Sequence, residues 1–437
     1  MEIIIKILQF FLCFTLLVGI HEFGHFIVAR MFKIRVEKFY IFFDPWFSLF
    51  KFKRGETEYG LGWLPLGGYC KIGGMIDESM DTEQMKQEAR PDDFRSKPAW
   101  QRLLVMLAGV FMNIMIAITI YSGISWVYGE SYFSNEDAKW GYNFNEEGHK
   151  LGFRDGDRIV SIDGKEIDNY AMIINDLLIT DHDRKIEIMR DGKLQMLSLK
   201  LDDLIAMRQN KGYENLLTVR LPFIVDSVVS PSSHALRRGD EIVRINALRG
   251  ADFATSKGYL KTLAGTDAEL GVLRGTDSLS LTLPISAEGT LGVLIANPFP
   301  LRTEHFTFWE SIPAGFRKTA DVTKEYWNQL KLIVQPETKL YEEVGGFIAI
   351  GNVFAPQWNW ADFWLKTALL SIILAVMNLL PIPGLDGGHA MFTLWEVITG
   401  RKVNERVLEI AQYIGMFLLL FLLLYANGND IYKFLIK

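Results

Sequence analysis

The chain reads Gly19-Ile20-His21-Glu22-Phe23-Gly24-His25 near its start, an H-E-x-x-H motif inside a long apolar run. In a helix, His21 and His25 project from one face, where two imidazoles can share a metal ion. Glu22 lies beside them, and in zinc hydrolases a carboxylate next to the metal takes a proton from water and passes it to the leaving amine. The motif therefore predicts hydrolysis that depends on zinc. The alternative is a pair of structural histidines at the end of a membrane helix.

The composition is typical of a membrane protein. Of its residues, 49% are hydrophobic and 13% are aromatic. The length of 437 residues leaves room for two or more domains. The net charge of −6 argues against a general nucleic-acid binder, because neutralising phosphates needs a basic surface. The two cysteines, Cys13 and Cys70, give neither a disulfide framework nor a C-x-x-C metal site.

Four apolar segments are each long enough to span a bilayer, which takes about 20 residues of helix. Ionisable residues inside such a helix are costly and usually face a protein interior where they are functional, which favours a functional role for the histidines. The first segment could be a signal peptide, but it has no small-x-small cleavage site before His21. The expected spans are Ile3–Phe32, Leu103–Val127, Phe363–Leu380 and Ile410–Ala426.

Basic residues set the expected orientation of these spans. Many Lys and Arg side chains lie between Lys33 and Lys97, and the short loop between the last two spans carries Arg401, Lys402 and Arg406. By the positive-inside rule both loops are cytoplasmic. We therefore expect the large segment 128–362 and both termini on the outer side, and the histidines toward the cytoplasmic end of the first span.

The loop after the first span is unusually apolar. Aromatic and β-branched residues dominate from Val36 to Lys53, and a glycine-rich run follows from Tyr59 to Gly74. This pattern predicts one or two β-hairpins with a turn at 54–56. Because a sheet edge cannot face lipid, such hairpins must pack against helices or line a polar cavity, where an edge strand can pair with an extended substrate.

A membrane-surface anchor is the alternative for this region. We expect two of its glycines, Gly60 and Gly62, to lie near the substrate. The polar stretch Asp77–Arg95 that follows is expected to be a solvated connector or short helix.

The second span carries a lone amide, Asn113. An amide in a membrane helix should face a neighbouring helix and form a hydrogen bond with it. We therefore expect Asn113 to join helices, and a contribution to the site is the second interpretation.

The outer segment contains an internal repeat. Leu151–Gly164 recurs loosely as Ala235–Asn246, and in each copy a Gly-Asp turn leads into a strand with alternating side chains. Two similar small domains in series are therefore expected. The pattern resembles the PDZ domain, which binds extended peptides by strand addition, although the copies could also be spacers. Gly289–Val293 resembles the strand and loop that would close the second copy. Beyond it, Phe306–Ile333 is expected to form an amphipathic helix on the outer membrane surface.

A catalytic zinc site needs three protein ligands and one open position. The third span ends in Pro381 and Pro383, which break a helix at membrane depth, and Asp386 follows on the cytoplasmic side. Asp386 could be an ordinary turn residue, but the expected topology brings it to the same level as the histidines, so we predict it as the third ligand. His389 is a competing candidate.

These motifs together resemble the site-2 protease family of intramembrane zinc metalloproteases. The resemblance covers nearly the whole chain: H-E-F-G-H in the first span, Asn378-x-x-Pro-x-Pro-x-Leu-Asp-Gly-Gly388 in a later one, and PDZ-like copies between them. It implies that His21, His25 and Asp386 bind one Zn²⁺ and that Glu22 is the catalytic base. It also implies that Asn378 lies near the substrate or the catalytic water. Val110 departs from the family, which usually has proline there.

The resemblance also implies the class of substrate. The family cleaves single-span membrane proteins, typically anti-sigma factors or remnant signal peptides, that another protease has already trimmed outside. Its hairpin region forms a membrane-reentrant β element, and its PDZ pair is thought to exclude substrates with bulky outer domains. The implied location is the inner membrane of a bacterium, with the PDZ-like copies in the periplasm and the active site toward the cytoplasm.

The expected architecture is a polytopic membrane protein with four transmembrane helices, a membrane-associated β-hairpin region and two PDZ-like α+β domains on the outer side. A membrane scaffold with a degenerate metal site and a metal transporter are the alternatives. The expected segments are helix 1 at 1–32, the hairpin loop at 33–99, helix 2 at 100–128, the PDZ-like copies at 129–205 and 206–300, an amphipathic region at 301–362, helix 3 at 363–390, and a loop with helix 4 at 391–437.

Overall fold

The computed structural model describes residues 2–64, 67–75, 88–250, 252–297, 299 and 301–436. Part of the predicted connector at 77–95, namely residues 77–87, lies outside these ranges. The chain forms two compact units. Unit 1 comprises Met1–Gly129, His305–Val334 and Leu340–Lys437, and unit 2 comprises Glu130–Glu304 and Gln335–Lys339.

Helices and strands follow one another in this order: α1 (Glu2–Met31), β1 (Val36–Ile41), β2 (Phe43–Arg54), β3 (Thr57–Leu64), β4 (Tyr69–Ile72), α2 (Ala99–Tyr128), β5 (Glu130–Phe133), β6 (Tyr142–Phe144), α3 (Glu146–Lys150), β7 (Arg158–Ile162), β8 (Lys165–Glu166), α4 (Ile173–Leu178), β9 (Arg184–Arg190), β10 (Lys193–Leu199), α5 (Leu201–Gln209), β11 (Leu217–Val219), β12 (Val225–Val228), β13 (Glu241–Ile245), β14 (Leu248–Arg249), α6 (Phe253–Thr262), β15 (Asp267–Arg274), β16 (Asp277–Pro284), β17 (Val293–Ile295), β18 (Leu301–Glu304), α7 (Phe308–Ile333), α8 (Phe347–Asn352), α9 (Trp360–Leu379), α10 (Asp386–Thr399) and α11 (Glu405–Ile436).

Within its described residues, unit 1 contains four helices that are long and apolar enough to cross a membrane, at Glu2–Met31, Ala99–Tyr128, Trp360–Leu379 and Arg406–Lys433. Much of their surface is apolar and exposed, as in a helix that lipid surrounds. The buried residues of α1 form a single stripe that includes Leu17, His21, Gly24 and His25. A Cβ at Gly24 would come within 2.5 Å of the carbonyl oxygen of Ala108, so this glycine lets α1 and α2 approach closely.

The loop after α1 forms one mixed sheet in the order β2-β3-β1-β4. Strands β2 and β3 are the predicted hairpin, with Gly55 at a φ of 65° in its turn. The remaining pairing was not predicted: β1 lies parallel to β3 and antiparallel to β4. Among the described residues β4 is therefore an edge strand of this sheet, and both β1 and β4 pack beside α1.

Helix α7 corresponds to the predicted amphipathic segment, but one face of it packs against protein. Ser311, Gly315 and Thr319 are buried on that face, and a Cβ at Gly315 would overlap Ser122 of α2. Large aromatic side chains such as Trp309 remain exposed. The sequence pattern did not reveal this small-residue face, which joins α7 to α2 and α9; a position on the outer membrane surface stays a prediction.

The chain between α9 and α10 changes direction through Pro381–Leu385. Helix α9 ends at Leu379, and α10 begins at Asp386 where a simple loop was expected. The two glycines after Asp386 make this turn possible, because a Cβ at Gly387 would overlap the carbonyl oxygen of Leu380 and one at Gly388 would lie 2.5 Å from that of Ile382.

Unit 2 contains two four-stranded sheets with the same connectivity, β10-β9-β7-β8 and β16-β15-β13-β14. Each has its own hydrophobic core. An ion pair recurs at the same place in both: Asp157 with Arg190 at 2.6 Å, and Asp240 with Arg274 at 2.7 Å. The sequence repeat at 151–164 and 235–246 therefore corresponds to a structural repeat.

Candidate active site

Three side chains from two helices converge in unit 1. Nε2 of His21 lies 3.0 Å from Oδ2 of Asp386, and Nε2 of His25 lies 3.3 Å from the same oxygen. The two Nε2 atoms are 3.2 Å apart. Among the described residues, these three form the one group of His, Cys, Asp or Glu side chains whose donor atoms could hold a metal ion together.

The triangle of donor atoms fits a zinc ion. Ligand bonds of about 2.0–2.2 Å in a tetrahedron hold donor atoms about 3.3 Å apart, close to the three distances found here. Oδ2 of Asp386 is buried and makes no hydrogen bond of acceptable geometry within the described chain, although both imidazoles lie beside it. Two imidazole nitrogens and a carboxylate oxygen are a donor set typical of a catalytic zinc site.

Helix α2 orients both histidines through their other ring nitrogens. Nδ1 of His25 lies 2.8 Å from the carbonyl oxygen of Val105. Because a carbonyl only accepts, this nitrogen carries the proton and Nε2 keeps its lone pair. Nδ1 of His21 lies 3.2 Å from the side-chain amide of Asn113, which is fully buried. The first contact fixes the tautomer of His25, and the second holds the orientation of the His21 ring.

A glycine on α2 makes room for the two rings. A Cβ at Gly109 would lie 2.5 Å from both Cε1 of His21 and Nε2 of His25. The next residue, Val110, stands where the family usually has proline. Helix α2 continues through Val110 without a break, so its geometry at this position is regular. The backbone of α2 therefore forms the floor under the imidazoles.

Asp386 is held from the opposite side by α10, of which it is the first residue. Near the other end of α10, Glu396 pairs with Arg102 of α2 at 2.5 Å, and both side chains are mostly buried. The guanidinium of Arg102 also donates to the carbonyl oxygen of Lys97. Helix α2 thus contacts both the histidines and the helix that carries Asp386.

The triangle lies in the wall of a cavity of about 730 Å³. Glu22 and Asn378 also line the cavity, and the amide of Asn378 lies 3.4 Å from Nε2 of His21. His389 lines it too, one turn after Asp386, but it does not belong to the donor triangle. All four residues of the edge strand β4 border the same space.

Two of the sequence-predicted site residues lie elsewhere. Gly60 and Gly62 are in β3, an inner strand of the sheet, and neither is among the described residues that line the cavity. A Cβ at Gly60 would overlap the ring of Tyr40, and one at Gly62 would overlap the backbone of Phe43. Their small size serves packing inside the sheet, and a place near the substrate stays a prediction for both.

Three residues at the site carried too little signal to be singled out from the sequence. Val105 contributes a backbone carbonyl, which leaves no trace in the residue type. Gly109 could have been suspected as a small residue in a helix facing bulky partners. Gln412 of α11 lines the cavity and could have been noticed as an amide within an apolar span.

Comparison with known proteins agrees with this geometry. The model of peptidase family M50 matches residues 9–422. "Protease RseP" of Yersinia pestis is 28% identical over 98% of this chain and 99% of its own length. "Regulator of sigma-E protease RseP" of Salmonella typhimurium (strain 14028s / SGSC 2262) has the same identity and coverage. A protein of Xylella fastidiosa (strain 9a5c) whose name describes it as a zinc metalloprotease is 27% identical over 96% of both chains.

The family match spans the H-E-x-x-H motif, the Asp386 loop and the segments between them. Together with the four apolar helices, it makes the protein a multi-pass membrane protein whose cofactor is zinc. The chain belongs to peptidase family M50, and it is a zinc metalloprotease of the site-2 type.

Proposed function

We propose that this protease cleaves a peptide bond within the transmembrane segment of single-span membrane proteins that another protease has already shortened on the outer side. The observation that carries the proposal is the donor triangle of His21, His25 and Asp386 in the wall of a cavity that strand β4 also borders. A soluble peptide would not require a metal site within the apolar helices of a membrane protein.

In this proposal His21, His25 and Asp386 hold the zinc ion. When bound, the ion supplies a Lewis acid that polarises the scissile carbonyl. Glu22 takes a proton from the attacking water, whose oxygen bonds to the carbonyl carbon, and delivers that proton to the amide nitrogen as the C–N bond breaks. Asn378, whose amide reaches toward His21, is positioned to donate to the oxygen that becomes negatively charged.

The substrate must be extended at the point of cleavage. In a helix the backbone carbonyls are occupied and surrounded by side chains, so the transmembrane helix has to unwind locally. In the described part of the chain, strand β4 is the outermost strand on its side of the sheet, and its residues border the cavity. An extended substrate can form backbone hydrogen bonds with β4. These bonds replace, on one side of the substrate, the helical hydrogen bonds that it lost on unwinding.

The orientation we propose puts the active site toward the cytoplasmic face of a bacterial inner membrane and unit 2 in the periplasm. The basic residues between α1 and α2 and those after α10 support it. The repeat in unit 2 would then act as two PDZ-like domains that bind a peptide or exclude substrates with large outer domains. Anti-sigma factors and remnant signal peptides are the proposed substrate classes.

The deciding experiment is cleavage of a pre-shortened single-span reporter by the purified protein in detergent. Wild type, Glu22→Gln and wild type with a zinc chelator are compared on the same reporter. The proposal expects a product from wild type alone, with cleavage mapped inside the transmembrane segment. Cleavage only outside that segment, or a product that persists in Glu22→Gln, would contradict it.

A further inference from the structure

We propose that Gln412 of α11 contacts the backbone of the bound substrate from a cavity wall other than the one that β4 forms. This inference rests on the proposed function, because it concerns the segment that the active-site cavity would hold. It assigns a substrate-positioning role to the fourth apolar helix, which contributes no side chain to the donor triangle.

The position of Gln412 within its helix is the first observation. The stretch from Ile410 to Leu424 is almost wholly apolar, and Gln412 and Tyr413 are the polar exceptions. Tyr413 is 41% exposed, whereas Gln412 is only 7% exposed. An amide inside a membrane helix is costly unless it faces protein or a polar cavity, and Gln412 lines the cavity of the donor triangle.

The second observation is how α11 meets the turn before Asp386. A Cβ at Gly415 would overlap the carbonyl oxygen of Pro383, and the backbone of Gly384 lies beside Gly415 and Met416. This contact between backbones holds α11 tightly against the turn. Since Gln412 lies one helical turn before Gly415, it is held at a fixed height relative to Asp386.

The chemistry of the side chain matches what an extended substrate needs. When one edge of the substrate pairs with β4, the N–H and C=O groups on its other edge are left inside an apolar protein, where an unsatisfied polar group is costly. A carboxamide offers both donors and an acceptor, which is the complement of a peptide group. Gln412 can therefore form hydrogen bonds with one peptide unit of the substrate, whatever side chain that substrate residue carries.

This role predicts a defined effect on catalysis. Gln412→Leu keeps the size of the side chain and removes its hydrogen bonds, so we expect kcat/KM on the reporter to fall about tenfold, the value of one hydrogen bond. Zinc content should stay as in wild type, because Gln412 is not one of the three residues of the donor triangle. Tyr413→Phe, the adjacent and more exposed position, serves as the control and should leave kcat/KM unchanged.

Amide-to-ester reporters separate a substrate contact from a general loss of fit. Each reporter has one N–H replaced by an ester oxygen near the scissile bond. Wild type should lose activity at one position where Gln412→Leu loses nothing further, as expected when both changes delete the same hydrogen bond. The proposal would be overturned if Gln412→Leu lowered kcat/KM by the same factor on every ester reporter. It would also be overturned if kcat/KM of Gln412→Leu on the unmodified reporter stayed within twofold of wild type.

Photocrosslinking tests the contact without turnover. With benzoylphenylalanine at position 412 in the Glu22→Gln background, we expect a crosslink to the reporter. Position 417, where Phe417 is 65% exposed, should give none. If position 412 gives no crosslink, the inference is wrong even when wild type cleaves the reporter. If position 412 gives a crosslink but wild type does not cleave the reporter, the result counts against the proposed function alone.

Discussion

Gly109 lies directly against His25: a Cβ at residue 109 would come within 2.5 Å of the Nε2 atom that faces the other two donors. We therefore predict that Gly109→Ala displaces this imidazole and lowers zinc affinity by at least about tenfold, the effect typical of disturbing a ligand's surroundings. Zinc affinity of the purified protein, measured by competition with a chelator, checks this.

The same helix offers a matched control for this glycine. Gly123 also lies in α2, and a Cβ added there would have no neighbouring atom within 4 Å outside the local helix backbone, so Gly123→Ala should leave zinc affinity at the wild-type value. Equal affinities for both variants would show that the ring can move aside, and that Gly109 is not needed to hold the donor triangle.

The contrast between Gly109 and Asp386 shows where sequence reasoning succeeds. The residue types and spacing of His21, Glu22 and His25 identify the chemistry, and charge patterns bring Asp386 to the same depth. The rotation of α2 about its own axis depends on how many side chains pack at once, so nothing in the sequence reveals that Gly109 and the carbonyl of Val105 face the histidines.

The sheet and the last helices show a second limit. A hairpin is a local structure, and its turn at Gly55 was predicted from neighbouring residues. The parallel pairing of β1 with β3 joins strands that are distant in sequence, so the edge position of β4 could not be foreseen. Helix α10 was also missed, because the prolines and glycines around its start are typical of a loop.

The ion pair between Arg102 and Glu396 should support the metal site from a distance. It links α2 to the helix that begins with Asp386, and removing one partner leaves a charge in a largely buried place. We predict that Glu396→Gln weakens zinc binding by about tenfold. A cobalt-loaded sample should also show a weaker visible band, because the tetrahedral donor set becomes distorted.

Exchange of the two charges tests whether the pair itself matters. The double variant Arg102→Glu with Glu396→Arg restores the attraction, so zinc affinity should return to within a few-fold of wild type. Arg401→Met, at an exposed position after α10, is the control with no effect. If the exchanged pair binds zinc as poorly as Glu396→Gln, the pair does not act through its charges.

The pair formed by Asp240 and Arg274 should make the second repeat copy sensitive to acid. The Arg274 guanidinium, followed by the backbone N–H of Arg237, holds the pKa of the Asp240 carboxyl below its usual value. A carboxyl with a lowered pKa stabilises the folded state above its unfolded pKa of about 3.9, and this contribution is lost as the pH falls through the folded pKa. The stabilisation should therefore be constant near neutral pH and decrease below about pH 4.

Asp240→Asn removes this contribution at neutral pH. Because Asp240 is fully buried while Arg274 is 28% exposed, we expect a loss of about 2 kcal/mol, below the range for breaking a fully buried pair. Hydrogen exchange of β13 and β15 in the full chain measures it. Asp226→Asn is the control, since its pair with Arg238 is exposed and should contribute less than about 1 kcal/mol.

Substitutions of Asp386 and of His389 should have different effects on metal binding, although the two residues lie one turn apart on α10. Oδ2 of Asp386 is within 3.3 Å of both imidazoles, whereas His389 lines the cavity outside the donor triangle. Asp386→Ala should therefore lower zinc affinity more than about 100-fold, beyond the effect of changing a residue that only supports a ligand. His389→Ala should retain one zinc ion per chain with wild-type affinity. The reverse result, loss of zinc in His389→Ala and retention in Asp386→Ala, would move the third ligand to the histidine and require α10 to rotate in the metal-bound protein.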